Sequence, residues 1–514
     1  MPVAGSSSPA ARLPAALGGW PGNGCGRERV QFHTSCGLAF PGPPARYVPC
    51  FRRAVRHPKP QHPAYLYDFA AQDLDRRAVE RALCRLAHVR SVDRLGRRGP
   101  LDASAPRSSD YACLFGRDSL RMALDLLDDF PEVARQTIRR LTALQGIRDH
   151  PRGDEEPGRI LHEHRCTTDA RARQLMAHWD LPYYGSVDAT PLYVCLIGAY
   201  VERYGAAVLH ERVRDRTAAW VRIRTGLERA LGWIERRLAG HGYVCVQRAQ
   251  PSGLQHQVWE DSWDSHFFED GRLFAPDVPY APVAVQGLVY DALLTGAELA
   301  GEARTAERWC AWAGLLRRKV LREFWLPELG TFAPALVLSP PTPVPARVVA
   351  SSPGHLLATR LLDGEDAAPY RDRLVRRLLA PDMLAPAGIR TKSTTAPRFA
   401  PGAYHNGSVW PVDTGVIADG LRRHGYVRQA DDLEDRIARA CAAFGPVEFF
   451  RGDECPEIRI NAVIHDRVLD GRLRRLEQPP QAIQGWTATR LWRLLRRREA
   501  TALRAPTPCL GRAA

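Results

Sequence analysis

Asp75-Arg-Arg-Ala-Val-Glu-Arg-Ala-Leu-Cys-Arg-Leu-Ala87 sets the pattern that the rest of the chain repeats. Val79, Leu83 and Leu86 recur at i, i+4 and i+7, one apolar stripe on an otherwise charged helix. The same helical rhythm returns over residues 118–129, 132–144, 188–204, 217–238, 282–300, 304–324, 354–363, 370–379, 408–424, 428–443 and 484–498, joined by loops rich in Gly, Pro and Asp. Strand patterns are short and few, as in residues 243–246 and 332–337. No residue signature recurs at a period of about 33–47 residues, which argues against a helical solenoid. A dozen helices in successive hairpins predict an all-α fold of the bundle or toroid kind. The helices read as scaffold, and function belongs in the loops between them.

Composition narrows the class. The chain has 514 residues, 45% hydrophobic and 25% charged, an ordinary globular balance that can bury a sizeable core. Charged residues interrupt every apolar run before the ~18–20 residues that a bilayer span needs, so no membrane association is expected. The net charge of +15 comes from 72 basic against 57 acidic residues. Only Lys59, Lys319 and Lys392 are lysines, a skew that reads as genome composition. Arginines also alternate with acids on helical stretches, as in Glu228-Arg229 and Glu235-Arg236-Arg237. No aromatic-interleaved basic groove accompanies them, and no nucleic-acid partner is expected. Twelve cysteines without a C-x-x-C pair, and the lack of a signal-peptide pattern, predict reduced thiols and a cytoplasmic location. Residues 1–70 form a low-complexity segment expected to be disordered, a transit peptide or a misassigned start; residues 71–500 are the expected folded domain and 501–514 a tail.

Four segments concentrate aromatics, carboxylates and amides. In Phe115-Gly-Arg-Asp-Ser-Leu120, Asp118 or Ser119 suits the N-cap of the following helix. In Asp180-Leu-Pro-Tyr-Tyr-Gly-Ser-Val-Asp-Ala-Thr-Pro-Leu192, Asp188 or Thr190 suits another cap, with Pro191 in an early turn; the tyrosines and Asp equally suit the wall of a polar pocket. Gln257-Val-Trp-Glu-Asp-Ser-Trp-Asp-Ser265 sets three acids among two indoles, which are costly to leave exposed. A carboxyl held against an indole loses hydration of its charged form, so it keeps its proton nearer to neutrality. In Tyr404-His-Asn-Gly-Ser-Val-Trp-Pro-Val-Asp413 and Pro446-Val-Glu-Phe-Phe-Arg-Gly452, Glu448 sits among apolar neighbours. Two environment-tuned carboxyls far apart in sequence are what glycoside hydrolysis requires, one to protonate the leaving oxygen and one to activate water. Phosphate-binding glycine loops and a serine-hydrolase elbow are absent from the sequence. His162-Glu-His-Arg-Cys166 has ligand-like spacing but no second cluster to complete a zinc set. The chemistry requires neither a metal nor an organic cofactor.

Six motifs carry a resemblance: Phe115-Gly-Arg-Asp-Ser-Leu120, Glu156-Pro-Gly-Arg-Ile-Leu-His-Glu163, Pro182-Tyr-Tyr-Gly-Ser-Val-Asp-Ala-Thr-Pro191, Trp259-Glu-Asp-Ser-Trp-Asp264, Tyr404-His-Asn-Gly-Ser-Val-Trp-Pro411 and Gln484-Gly-Trp486. In this order, over about residues 75–498, the chain resembles the amylo-alpha-1,6-glucosidase, or glycogen-debranching glucosidase, group. The resemblance implies an (α/α)6 toroid, a six-hairpin barrel, with long loops forming the site at one end. It implies Asp261 as general acid and Glu448 as general base. Arg117, Asp118, Asp188, Trp259, His405 and Trp410 would hold the nonreducing glucose, with Glu163, Tyr184, Glu260, Trp263 and Gln286 as further substrate contacts. The implied reaction is inverting hydrolysis of a terminal α-linked glucose from an oligosaccharide or glucoside, with carboxyls about 6.5–9.5 Å apart. Trehalose-like or glucosylglycerate-like substrates, a sugar epimerase and a non-catalytic sugar-binding protein are the alternatives. Two positions depart from the group's pattern: Ala284 where Glu is usual before Val-Gln-Gly, and Val412 where His is usual after Trp-Pro. The group's N-terminal β-rich domain also has no counterpart here.

Overall fold

The stripe at the start of the pattern becomes helix α1 (Arg76–Leu86), whose Ala78, Val79, Ala82 and Leu86 are buried. In this computed structural model the described residues are 75–86, 100–105, 111–165, 170–339, 342–460, 463–469 and 472–504. The helices that follow are α2 (Gly116–Asp125), α3 (Pro131–Ala143), the short α4 (Ala170–Leu175), α5 (Ala189–Tyr204), α6 (Ile223–His241), α7 (Val283–Glu298), α8 (Ala303–Glu323), α9 (Ala368–Leu378), α10 (Pro411–Arg423), α11 (Val427–Phe444) and α12 (Gly485–Arg504). A 3₁₀ segment, Ser352–Ala358, lies between α8 and α9.

Among the described residues these elements alternate between two concentric rings. The inner ring runs α2, α5, α7, the 3₁₀ segment, α10 and α12, each packed on the next, and α12 packs back on α2. Outside it stand α1, α3, α6, α8, α9 and α11. The fold is therefore the expected (α/α)6 toroid. Sequence explains which helix goes where. Helix α7 carries only Asp291 and Glu298 as charges, so it can be surrounded by protein, whereas α8 and α11 keep one charged face for solvent. Helix α1 closes the ring against α12, with Ala78, Val79, Ala82 and Leu86 in one apolar cluster with Ala488, Leu491 and Trp492. The Arg76–Glu499 pair at 2.6 Å lies on the surface, where solvent screens it, so packing holds the closure.

Some elements differ from the sequence reading. The helix expected at 354–363 is the 3₁₀ segment and a second short turn, Arg360–Leu362, divided by Thr359 in extended conformation. Gly354 also sits against Ile417 and Leu378, leaving no space for a side chain. Helix α6 starts at Ile223 rather than 217, since Trp220–Arg222 pairs as a strand with Arg212–Arg214. Val463–Leu469 and Arg472–Gln478 form a seven-residue antiparallel hairpin that the reading missed. Helix α12 runs to Arg504, into the expected tail. The N-terminal segment 1–70 lies outside the described residues. Among the described residues no helix is long and apolar enough to cross a membrane.

Candidate active site

All six inner segments begin at the same end of the toroid, and the chemistry-bearing residues cluster there. The strand Leu114–Phe115 pairs with Glu163–His164, and Gly116 N–H donates to the His162 carbonyl at 2.9 Å. A Cβ on Gly116 would collide with the Leu161 carbonyl, so the close approach requires glycine. This fixes Arg117 and Asp118 in the first turn of α2. Neither Asp118 nor Ser119 is the cap: Phe115 holds that position, and Ser119 Oγ donates back to its carbonyl. Asp188 occupies the N-cap position of α5 without capping it; it accepts Arg117 Nε at 2.7 Å and Ser186 Oγ at 2.6 Å. Thr190 Oγ1 accepts the Ile160 N–H at 3.0 Å.

A chamber of about 340 Å³ lies at these N-termini, lined by Asp118, Asp261 and Glu448, by Trp259, Trp410 and Trp486, and by Tyr404, Gln481, Gln484 and His162. Asp261 and Glu448, some 190 residues apart in sequence, thus face one cavity. Asp261 comes from the long connection between α6 and α7 and is 1% exposed. Neither of its carboxyl oxygens has a hydrogen-bond partner among the described residues, and Arg117 Nη1 stands 4.0 Å away. Burial pushes this carboxyl well above the usual range; Arg117 opposes the shift, while Asp118, Asp188 and Glu448 add to it. Loss of hydration thus favours the protonated form of Asp261.

Glu448 follows α11 and is strapped on both sides: its N–H donates to Gln481 O at 3.1 Å, and Phe450 N–H to Val409 O at 2.8 Å. Its Oε1 accepts Tyr404 Oη at 2.5 Å and Gln481 Nε2 at 2.9 Å, and its Oε2 accepts Gln481 N–H at 3.3 Å. Burial raises this carboxyl to about 7, against the pull of those donors and with a push from Asp118. Asp118 itself rises to about 6 through burial. It accepts Gln484 Nε2 at 3.4 Å.

Aromatic packing fixes the floor. Trp410 meets Trp259 edge-on at 5.9 Å and stacks on His405 at 4.9 Å and Phe449 at 5.1 Å. A second cavity, of about 590 Å³, continues along the toroid axis and shares Arg117, Trp259 and Trp486 with the chamber as a common wall. Asp188, Ala284 and Val412 face this axial cavity.

Of the residues expected to contact substrate, Arg117, Asp118, Asp188, Trp259 and Trp410 line one cavity or both. The others stand behind them. His405 is buried and kept neutral by loss of hydration; its Nδ1 accepts Ser262 N–H at 3.3 Å and lies 2.9 Å from Ser262 Oγ, which steadies the residue next to Asp261. Glu260 is spent on a buried ion pair with Lys392. Glu163 pairs with Arg165 in the strand below Phe115. Tyr184 belongs to the core, donating to Leu144 O at 2.6 Å. Gln286 accepts Val244 N–H at 3.2 Å and donates to Val244 O at 2.8 Å, a backbone brace at the head of α7. Trp263 is half-buried and lines neither cavity. His162 lines the chamber between Phe115 and Tyr183, and Cys166 of the same motif lies outside the described residues. Tyr404 and Trp486 belong to motifs already quoted; Gln481 had no signal beyond being a polar loop residue.

The toroid defines the fold class, an (α/α)6 six-hairpin architecture with a two-carboxyl chamber at one end. The comparisons narrow it. A family model described as the mannosylglycerate hydrolase MGH1-like glycoside hydrolase domain matches residues 205–453, just under half of the chain. Among solved structures, the GH63 mannosylglycerate hydrolase from Thermus thermophilus in complex with Tris and D-glycerate aligns at 15% identity and TM-score 0.54, over 81% of this chain and 98% of that one. The Tris complex aligns at 14% and 0.53 over the same shares, and the glucose complex at 15% and 0.51 over 82% and 99%. At these identities the likeness is one of fold. Curated protein sequences give no match. The comparisons support a six-hairpin glycosidase, and not the amylo-alpha-1,6-glucosidase group in particular.

Proposed function

We propose that the protein hydrolyses an α-linked hexoside with inversion, Asp261 serving as general acid and Glu448 as general base. One observation carries this reading: two buried carboxyls face a single chamber in opposite hydrogen-bonding states, Asp261 without a donor and Glu448 accepting three bonds. A protonated Asp261 can give its proton to the glycosidic oxygen as the bond to C1 breaks. Glu448, ionised and aimed by Tyr404 and Gln481, takes a proton from water attacking C1 on the other face. Asp261 ends as carboxylate and Glu448 as acid, and exchange with solvent resets both. The indole faces suit the C–H surface of a pyranose. The N–H groups of Trp259 and Trp486, which have no acceptor among the described residues, suit its oxygens.

For the substrate, the matching family and the names of the structural neighbours favour a hexose on a small polar aglycone of the glycerate type over a branch glucose on an oligosaccharide. The purified protein should be incubated with glucosylglycerate, mannosylglycerate, isomaltose, panose and a nitrophenyl α-glucoside, and the first-formed anomer read by proton NMR. The β-anomer from an α-glycoside is expected. The α-anomer would overturn inversion, and binding without any product would favour a sugar-binding protein. Turnover that survives loss of Asp261 and fails without His405 would favour an epimerase.

A further inference from the structure

The axial cavity is where the chemistry of the chamber leaves something unexplained. Its lining comes from all six inner segments: Arg121 of α2, Leu192 of α5, Leu288 of α7, His355 of the 3₁₀ segment and Val416 of α10, with Trp486 of α12. Surrounded by the ring and sharing Arg117, Trp259 and Trp486 with the chamber, it suits the terminal, nonreducing part of a substrate whose aglycone departs from the chamber.

Arg117 and Arg121 are one turn apart on α2 and both face this cavity. Arg117 is 5% exposed and spends Nε on Asp188, but its Nη2 is buried with no partner. Arg121 makes no hydrogen bond or ion pair with any described residue. Asp188 and Asp125 act on it only at longer range, and Arg490 repels it. Two like charges at i, i+4 in a poorly hydrated space oppose folding, and Asp188 and Asp125 offset the second of them only through space, without a hydrogen bond. On the facing side Asp413 Oδ1 accepts from His355 Nε2 at 2.7 Å, and its Oδ2 has no donor among the described residues. A ligand bearing an anionic group and a hydroxyl would satisfy all three open positions. Ala284 and Val412, the two small residues that depart from the resembling group's Glu and His, line the same space and keep it open.

We infer that the axial cavity is a specificity compartment for an anionic substituent, carboxylate or phosphate ester, on the nonreducing sugar, with Arg121 as the residue that selects it. The inference rests on the proposed glycosidase reading in taking the chamber as the sugar site. Binding measurements test it apart from catalysis. The full chain should be titrated calorimetrically with D-glucuronate, glucose 6-phosphate and glucose, alongside Arg121→Met, Arg121→Lys and Ala284→Leu.

One anion is expected to bind about tenfold to a hundredfold tighter than glucose, the range of a charge-assisted hydrogen bond. Glucuronate as the tighter anion identifies a carboxylate compartment, and glucose 6-phosphate a phosphate one. Arg121→Met should abolish the preference and Arg121→Lys keep part of it. Ala284→Leu should weaken the preferred anion by filling the compartment from the opposite wall. Arg121 has no partner to orphan, so Arg121→Met should melt no lower than the wild type. Equal binding of glucose and both anions, no binding of either anion, or a preference that survives Arg121→Met would overturn the inference. Anion preference without turnover of any glycoside would instead sink the hydrolase reading alone.

Discussion

The segment that carries Asp261 and the segment that carries Glu448 present the same functional group to one chamber and treat it in opposite ways. Around Asp261, in the connection between α6 and α7, the neighbours are an indole, an imidazole turned to Ser262 and other acids, and no donor reaches its oxygens. Around Glu448 the chain is bridged on both sides, and Tyr404 and Gln481 bring three donors. Both carboxyls are displaced upward by burial, Asp261 far and Glu448 only to about 7. In the proposed mechanism it is the count of donors, and not residue type, that separates acid from base.

The harshest test of that contrast removes one carboxyl at a time. Asp261→Asn and Glu448→Gln should each lower kcat by about 10²–10⁴-fold on an alkyl glycoside, with unchanged far-UV circular dichroism. On a nitrophenyl glycoside, whose leaving group needs little protonation, Asp261→Asn should lose much less and Glu448→Gln as much as before. Equal losses on both substrates would erase the distinction.

A smaller effect separates the pair by pH. The rate measured as kcat/KM should climb as Glu448 ionises near 7 and fall at higher pH as Asp261 gives up its proton. Tyr404→Phe removes a donor that favours the charged form of Glu448, so the acidic limb should move to higher pH, with up to about tenfold loss at neutrality.

Stability should show the weakest signature. Glu448 binds its proton more tightly folded than unfolded, so its contribution is complete below the unfolded value of 4.5 and is lost as pH rises through about 7. Thermal unfolding of the wild type should fall over that interval by at most about 1.4 kcal/mol per pH unit from this group, and Glu448→Gln should flatten the fall.

Much of the toroid could be read from periodicity, because a helix packed on one side writes its apolar stripe into the sequence. The fourth inner segment was legible as a helix over 354–363 but not as the 3₁₀ turn it forms, where Gly354 packs against Ile417 and Leu378. The hairpin at 463–478 did leave a signal, the turn pair Asp470-Gly471, which the reading passed over; its second strand, Arg472–Gln478, has no β-branched or aromatic residue. In the site, Asp261, Trp259 and Trp410 were legible because acids and indoles crowded together are hard to explain as surface. Glu163 and Tyr184 stood in two other motifs, and Gln286 in the Val-Gln-Gly run, but all three brace the backbone or the core, and sequence cannot tell a polar group facing a cavity from one turned to a carbonyl. Arg121 passed as one arginine among many.

Gln481, Gln484 and Trp486 complete the chamber, and α12 behind them completes the ring against α2. On the ribosome these residues follow Asp261, Tyr404 and Glu448. Until they join the ring, Glu448 lacks two of its three donors, and the inner face of α2 has no neighbour on that side. Translation order therefore leaves both the chamber and the ring unfinished until residues 481–504 are made.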